Sequence, residues 1–205
     1  MPRSRLAIKI TVLIVVVLII GFGASTVWTI QREGELLIEQ NKVAARRLTA
    51  SIVASIEGAM LQERPDVTRT VIQELKGATP VEGLSIYRRN GVEAFTDLAT
   101  LDEVKKNADL PGDVMANIQK MVRAPAAQVS GPLFQQAIET LRTQESVEVR
   151  EVVPLFTLLH PIHYQERCQG CHGADHRVRA VVQVASSMAP VFAEVRRHRN
   201  RQVLI

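Results

Sequence analysis

An uncharged, strongly apolar run dominates the start of the chain. Residues 10–30 read ITVLIVVVLIIGFGASTVWTI, which is 21 positions without a charged side chain. As a helix, with a rise of about 1.5 Å per residue, the run is about 31 Å long and can cross the hydrocarbon core of a bilayer. Three basic residues precede it, and Trp28 lies near its far end. The pattern predicts a cytoplasmic N-terminus over residues 1–9, a transmembrane anchor over residues 10–30 and an exported remainder.

A cleaved signal peptide is the alternative to an anchor. The apolar run is longer than the usual signal-peptide core of about 7–15 residues, and no clear cleavage site follows it. Both interpretations export the rest of the chain. We therefore expect a protein of the inner (cytoplasmic) membrane, with a single span and with most of the chain on the periplasmic side.

Beyond the apolar run, apolar side chains recur at every fourth position. Leu48, Ile52, Ile56 and Met60 would lie along one face of a helix. This spacing predicts a long helix over residues 31–64 that leads into the domain and packs against it.

The remainder, residues 65–205, alternates between helical and strand patterns. A short helix is expected after Pro65 and another after Pro132, where proline suits the first helical turn. Residues 101–122 are helical in pattern, with a Pro-Gly break in the middle. A terminal helix is expected from about Met188.

Strand patterns occur in five places. VEGLSIYRR and VEAFTD flank Asn90-Gly91, the preferred pair for a two-residue hairpin turn. The other three stretches lie in the last third of the chain and read ESVEVREVV, LFTLLHPIHY and HRVRAVVQVASS. We therefore expect an α+β fold in which about five antiparallel strands form one sheet with helices across a face.

Composition narrows the functional classes. Charged residues make up 22% of the 205-residue chain and the formal net charge is +4, which favours neither disorder nor nucleic-acid binding. Basic residues are concentrated near the two ends, and the C-terminal cluster reads RRHRNR. That cluster suits anionic lipid headgroups or the acidic surface of a partner, or is simply a solvated helix end.

The chemistry of the chain is concentrated in RCQGCHG, residues 167–173. Its two cysteines, Cys168 and Cys171, are the only cysteines of the chain, and His172 follows the second one directly. C-x-x-C-H is the attachment signature of c-type haem. Two thiols three positions apart can form thioethers with the two vinyl groups of one porphyrin, and the adjacent imidazole can ligate the iron. We expect one covalent haem c, tethered by Cys168 and Cys171, with His172 as the proximal iron ligand.

Three other uses of the cysteines are weaker alternatives. A dithiol redox pair leaves His172 without a role. Zinc could be bound by His160, His163, Cys168 and Cys171, but this spacing is not a common zinc pattern. An inert disulfide across two residues would close a loop too short to stabilise the fold much.

The second axial position of the iron has several candidates. Methionine and histidine are the residue types that fill it in c-type cytochromes and related proteins. The side chains of these types are Met60, Met115, Met121, Met188, His160, His163 and His176. For any single one of them, a structural place such as the core is the favoured explanation.

The chain as a whole resembles the periplasmic c-type haem sensor domains with a PAS-like fold that occur in bacterial chemoreceptors, sensor kinases and diguanylate cyclases. The resemblance covers residues 31–201 and is carried by IEGAMLQE, GLSIYRRNGVEAFTD, HPIHYQERCQGCHG and VRAVVQVASSMAPVFAEVRRHRNRQ, in that order after the anchor. It implies a PAS-like sheet with the haem against it. It also implies Met60 of the long helix as distal ligand and a homodimer formed through the long helices.

Two functions are compatible with this resemblance. The first is a haem-based sensor that responds to redox state or to a small ligand at the iron. The second is a membrane-anchored electron-transfer cytochrome c, a subunit of a respiratory or photosynthetic complex. The second is suggested because the chain stops at QVLI, where sensors of this type continue into an output module. A signalling or electron-transfer protein partner is expected in either case, and we expect no enzymatic activity, because no acid–base or nucleophile set accompanies the motif.

Overall fold

The structure is a computed structural model of the chain and describes most of its residues. The described residues are 3–76, 81–96, 98–121, 128–150, 153–173 and 177–203.

Seven α-helices and four strands make up the described residues. The helices are α1 (Arg3–Leu61), α2 (Pro65–Leu75), α3 (Ala99–Val104), α4 (Gly112–Met121), α5 (Pro132–Thr140), α6 (Gln169–His172) and α7 (Ala189–Val203). The strands are β1 (Val81–Arg88), β2 (Gln144–Arg150), β3 (Val153–His163) and β4 (Val178–Ser187). One 3-10 turn, Glu166–Cys168, comes directly before α6. The fold is therefore mixed α+β.

The chain forms two compact units. One contains residues 1–42 and 189–205, and the other contains Val43–Met188. By length and composition, α1 is the one helix in the described part of the chain that could cross a membrane. Its apolar side chains between Ile8 and Phe22 are exposed, as lipid-facing side chains are. Within the same unit, Val195 of α7 lies against Gly34 of α1, where an added Cβ would be only 3.2 Å from the valine.

The second unit is built on a four-stranded antiparallel sheet. Its strand order is β1-β4-β3-β2, so β4 and β3 are central. Both central strands are rich in valine, leucine and isoleucine, because each is covered on both faces.

One face of this sheet is covered by α1 and α2. The spacing along α1 is confirmed here: Ile52 and Ile56 are buried, and Leu48 and Met60 pack against the same cluster. The cluster also contains Ile72 of α2 and the inward side chains of β1 and β4, namely Leu84, Ile86, Val182 and Val184. The C-terminal part of the long helix thus belongs to the core of this unit.

The opposite face is covered by α5. Phe134 is 1% exposed and packs on Tyr87, Leu159 and Val181. The rings of Phe134 and Tyr87 meet edge to face, with centroids 6.3 Å apart and planes at 83°. A third cluster joins α3 to α4 and is centred on Val114.

The hairpin prediction after β1 is correct in placing a turn at Asn90-Gly91, but wrong for the length of the turn and for the second strand. The turn has three residues, 89–91, because Gly91 N–H donates to the Arg88 carbonyl at 2.8 Å and Arg88 N–H donates to the Val92 carbonyl at 2.9 Å. Gly91 has φ +81, and its backbone lies so close to Val129 that a Cβ would be 2.1 Å from the carbonyl oxygen. After the turn, only isolated bridges form, at Val92 and Glu93. Phe95 has φ 64, a left-handed conformation that ends the extended backbone. The described sheet therefore has four strands rather than about five.

A small polar cluster holds the end of α1 to α2 and α4. Asp66 is buried and accepts hydrogen bonds from Nε and Nη2 of Arg64, both at 2.9 Å. Asn117 of α4 lies at 3.4 Å from the same carboxylate. The hydrogen bonds from Arg64 lower the pKa of Asp66 to about 2, although burial acts in the opposite direction.

Asp66→Asn is expected to destabilise the fold by about 1–2 kcal/mol at neutral pH, because the charged acceptor of these bonds is lost. A lowered pKa stabilises the fold at pH values above the unfolded pKa, and this contribution is lost as the pH falls through the folded pKa. The difference between wild type and variant should therefore shrink between about pH 4 and pH 2. Thermal unfolding of the detergent-solubilised full chain at several pH values measures this.

Asp102→Asn is the matched control. Asp102 is exposed and its nearest cation, the Lys105 ammonium, is 3.9 Å away, so this variant should change the unfolding temperature little. A loss in Asp66→Asn that is independent of pH would contradict the assigned role of the carboxylate.

Candidate functional site

The C-x-x-C-H motif lies in a loop that leaves the sheet between its two central strands. β3 and β4 pair as far as His163 and Val178, and the ladder continues to a hydrogen bond of 2.9 Å from Tyr164 N–H to the Arg177 carbonyl. The two ends of the loop are therefore held side by side, and the motif is placed at one end of the sheet.

Inside the loop, the motif folds as two short helical turns. Cys168 N–H donates to the Gln165 carbonyl at 2.8 Å, and Gly173 N–H donates to the Gln169 carbonyl at 3.1 Å. Gly173 has φ 72, which glycine adopts without strain, and its carbonyl accepts a 2.6 Å hydrogen bond from the Tyr164 hydroxyl. These bonds hold both cysteines and His172 on consecutive turns.

The two cysteines are free thiols in different surroundings. Cys171 packs against the α3–α4 cluster, and Asn107 Nδ2 lies 3.3 Å from its carbonyl. Burial raises the pKa of the Cys171 thiol, and the charges of Glu63 and Cys168 act in the same direction. Cys171 therefore stays a neutral thiol at neutral pH.

His172 is half-buried and is held through its Nδ1 atom. Arg179 Nη2 donates to Nδ1 at 2.6 Å, and the same guanidinium nitrogen lies 3.1 Å from Glu103 Oε1. Burial, followed by the charge of Arg179, lowers the pKa of His172 to about 4. The imidazole is consequently neutral at pH 7, which is the form that binds metals.

The last turns of α1 run beside the motif. Glu57 forms an ion pair with Arg167 at 3.7 Å, and the charge of Glu63 acts on Cys171. Met60 is three residues after Glu57, on the same side of α1. Its side chain is partly buried against the same cluster as Ile162, which lies near the end of β3. The long helix thus presents Met60 at the end of the sheet that carries the motif.

Most of the other candidates for the second axial position are placed elsewhere. Met188 is 1% exposed and its N–H donates to the Pro154 carbonyl at 2.8 Å. This lies at the other end of β3, about 27 Å from the motif end at about 3.4 Å per residue. His160 Nδ1 is bonded to Thr143 at 2.8 Å.

Four candidates remain. His163 Nε2 is bonded to the Leu141 carbonyl at 3.0 Å. Met115 packs in the same cluster as Cys171 and is therefore, with Met60, close to the motif. The side chain of Met121 and the whole of His176 lie outside the described residues.

The structure does not assemble the four-residue zinc site considered from the sequence. Across the residues that it describes, no three histidine, cysteine or acidic side chains are grouped as metal ligands. His160 and His163 are instead bonded to Thr143 and to the Leu141 carbonyl.

The donor set does fit a covalently tethered haem. Two free thiols stand three positions apart on consecutive turns, and a neutral imidazole directly follows the second one. Because Nδ1 of His172 lies against Arg179, Nε2 is the nitrogen that would ligate a metal, and ligation there would require the ring proton to be on Nδ1. At Gly170, an added Cβ would meet no atom within 4 Å, so the loop is open on that side.

Several residues that support the motif were not found by sequence reasoning. Arg179, Glu103, Asn107 and Tyr164 bond to the motif residues or to one another, but no short-range pattern marks them. Arg179 and Glu103 are 76 positions apart, and Asn107 is 64 positions from Cys171.

In comparisons with known proteins, the chain matches no family model, and no curated protein is significantly similar to it. What the motif can hold is therefore judged from its residues and their contacts.

Proposed function

We propose that the chain is a membrane-anchored, periplasm-facing monohaem c-type cytochrome of the PAS-like sensor type. In this proposal, Cys168 and Cys171 provide the two thioether tethers, His172 the proximal ligand and Met60 the distal ligand. When bound, the haem supplies an iron that changes redox state and takes up small ligands. The domain responds to one of these events and is not an enzyme.

One observation carries the sensing function: the candidate membrane span and Met60 belong to the same helix. α1 is continuous from Arg3 to Leu61, and its last turns contact the motif loop through Glu57. Because Met60 is part of this helix, a change in what its sulfur contacts acts directly on α1. A helix that reaches from the site into a membrane is the connection that a transmembrane sensor needs.

The charges around Met60 favour the same interpretation. Arg167, one residue before Cys168, is paired with Glu57, so movement of the motif loop displaces a charge on α1. Arg64, just beyond α1, is tied to Asp66 of α2. The end of α1 is thus held by contacts on both sides of Met60. Dimerisation through α1 and a signalling or electron-transfer partner remain predictions of the resemblance.

The Cys168→Ser/Cys171→Ser double variant is expected to carry no covalent haem, because both tethers are removed. Its intact mass should equal that of the bare polypeptide, and acid–acetone extraction should remove any colour. Each single variant should keep one tether, and Met115→Leu should have the mass of its own polypeptide plus one haem. Haem retained by the double variant through the extraction would overturn the proposed attachment.

Met60→Leu is expected to change the visible spectrum of the reduced protein and its midpoint potential, because a sulfur ligand is lost. Leucine is close in volume to methionine, so the core should remain packed. Met115→Leu is the matched control, since Met115 also lies close to the motif but in the α3–α4 cluster. A spectral change in Met115→Leu and none in Met60→Leu would show that the assignment is wrong.

Gas binding by the wild type and by Met60→Leu separates sensing from electron transfer. For a sensor, the reduced wild type should bind CO or NO, and Met60→Leu should bind CO faster because its distal position is already open. A wild type that is indifferent to both gases and exchanges electrons rapidly would instead be an electron-transfer cytochrome, and the sensing function would be rejected.

A further inference from the structure

A partly buried cation contacts the histidine of the motif. The Arg179 side chain is 14% exposed, and a single nitrogen, Nη2, lies 2.6 Å from His172 Nδ1 and 3.1 Å from Glu103 Oε1. A guanidinium placed this far from water needs partners for its charge and its donors. Here the partners are the proposed iron ligand and a carboxylate of α3.

The contact determines which nitrogen of His172 carries the proton. Arginine has five N–H donors and no acceptor, and it stays charged at any ordinary pH. The Nδ1 atom must therefore accept the hydrogen bond, so that the proton of the neutral ring is on Nε2. The ring is held with Nε2 as its free end.

Arg179 is held by two parts of the fold. Its backbone belongs to β4 at the point where pairing with β3 shifts register, between Ile162 and His163. Its guanidinium is paired with Glu103 on α3, while Asn107, just beyond α3, reaches the carbonyl of Cys171. The geometry around His172 is thus set jointly by the sheet and by the α3 segment.

We infer that Arg179 is the positioning residue of His172 before the haem is bound and that, together with Glu103, its charge sets how readily the bound iron is reduced. This inference rests on the proposed function. A positive charge next to an iron ligand favours the reduced iron, which carries one positive charge fewer, and a negative charge opposes it. Arg179 therefore raises the midpoint potential, and Glu103 lowers it.

Ligation through Nε2 requires a change in this hydrogen bond. The proton on Nε2 is displaced to solvent, and a proton from solvent is taken up at Nδ1, so that the ring stays neutral. A protonated Nδ1 no longer accepts from Arg179, and the guanidinium is then held by Glu103 alone. The backbone of Arg179 in β4 would still keep its charge beside the site.

Midpoint potentials of the full-length haem protein in detergent test the inference, after intact mass has confirmed one haem in each variant. Arg179→Gln should lower the ratio of reduced to oxidised protein at a fixed potential by about tenfold, which is about 59 mV for one electron. Glu103→Gln should shift the ratio in the opposite direction. Arg179→Lys, which keeps the charge, should stay close to wild type.

Opposite shifts of the midpoint potential in Arg179→Gln and Glu103→Gln distinguish an effect of charge from a structural effect. A general loosening of the site would shift the potentials of both variants in the same direction. An unchanged potential in Arg179→Gln, or a shift of the same sign in Glu103→Gln, overturns the inference. If Arg179→Gln does not fold, the midpoint potentials of Glu103→Gln and Arg179→Lys decide whether the inference holds.

A chain that matures without haem would instead reject the proposed function, and the contact is then tested in that protein. Nitrogen-15 NMR of the full-length wild type in detergent should find the proton of His172 on Nε2, and Arg179→Lys should weaken this preference. A proton on Nδ1 in the wild type would show that Arg179 does not hold the ring.

Discussion

The pairing of β3 with β4 is the constraint on which the site depends. These central strands are joined by backbone hydrogen bonds as far as Tyr164 and Arg177, so the loop between them begins and ends at one place on the sheet. The strands are buried on both faces, and their position is set by the core rather than by the loop. Within that frame, the hydroxyl of Tyr164 and the conformation of Gly173 close the turns that carry the motif.

Burial against the core sets the protonation state of Cys171 and His172. Cys171 is a neutral thiol because it packs against the α3–α4 cluster, and His172 is a neutral imidazole because it is half-buried beside the cation of Arg179. A neutral imidazole is the form of histidine that binds metals. The fold also places the end of α1, with Met60, at the motif end of the sheet, so the motif and the long helix lie close together.

Local patterns predicted the helices and the central strands well, because their periodicity extends over many residues. The four-residue stripe from Leu48 to Met60 and the break between α3 and α4 are examples. The second arm of the Asn90-Gly91 hairpin was not predictable in the same way. Its course depends on the left-handed conformation of Phe95 and on contact with Val129, which is distant in sequence.

The site was predicted only as far as its contiguous motif. Cys168, Cys171 and His172 are adjacent in the chain, so their spacing alone indicates haem attachment. Arg179 and Glu103 meet only through the pairing of β4 with β3 and the packing of α3, 76 positions away in sequence. Met60 is an intermediate case, because its helix was predictable but its closeness to the motif comes from the fold.

The central claim is that this domain holds one porphyrin through two sulfur tethers. A pyridine haemochrome spectrum, combined with intact mass of the full chain extracted from membranes, measures this directly. The account predicts the spectrum of a haem with two thioether bonds and a mass equal to the polypeptide plus one haem. A colourless protein of bare polypeptide mass, after expression with haem-attachment machinery, would contradict it.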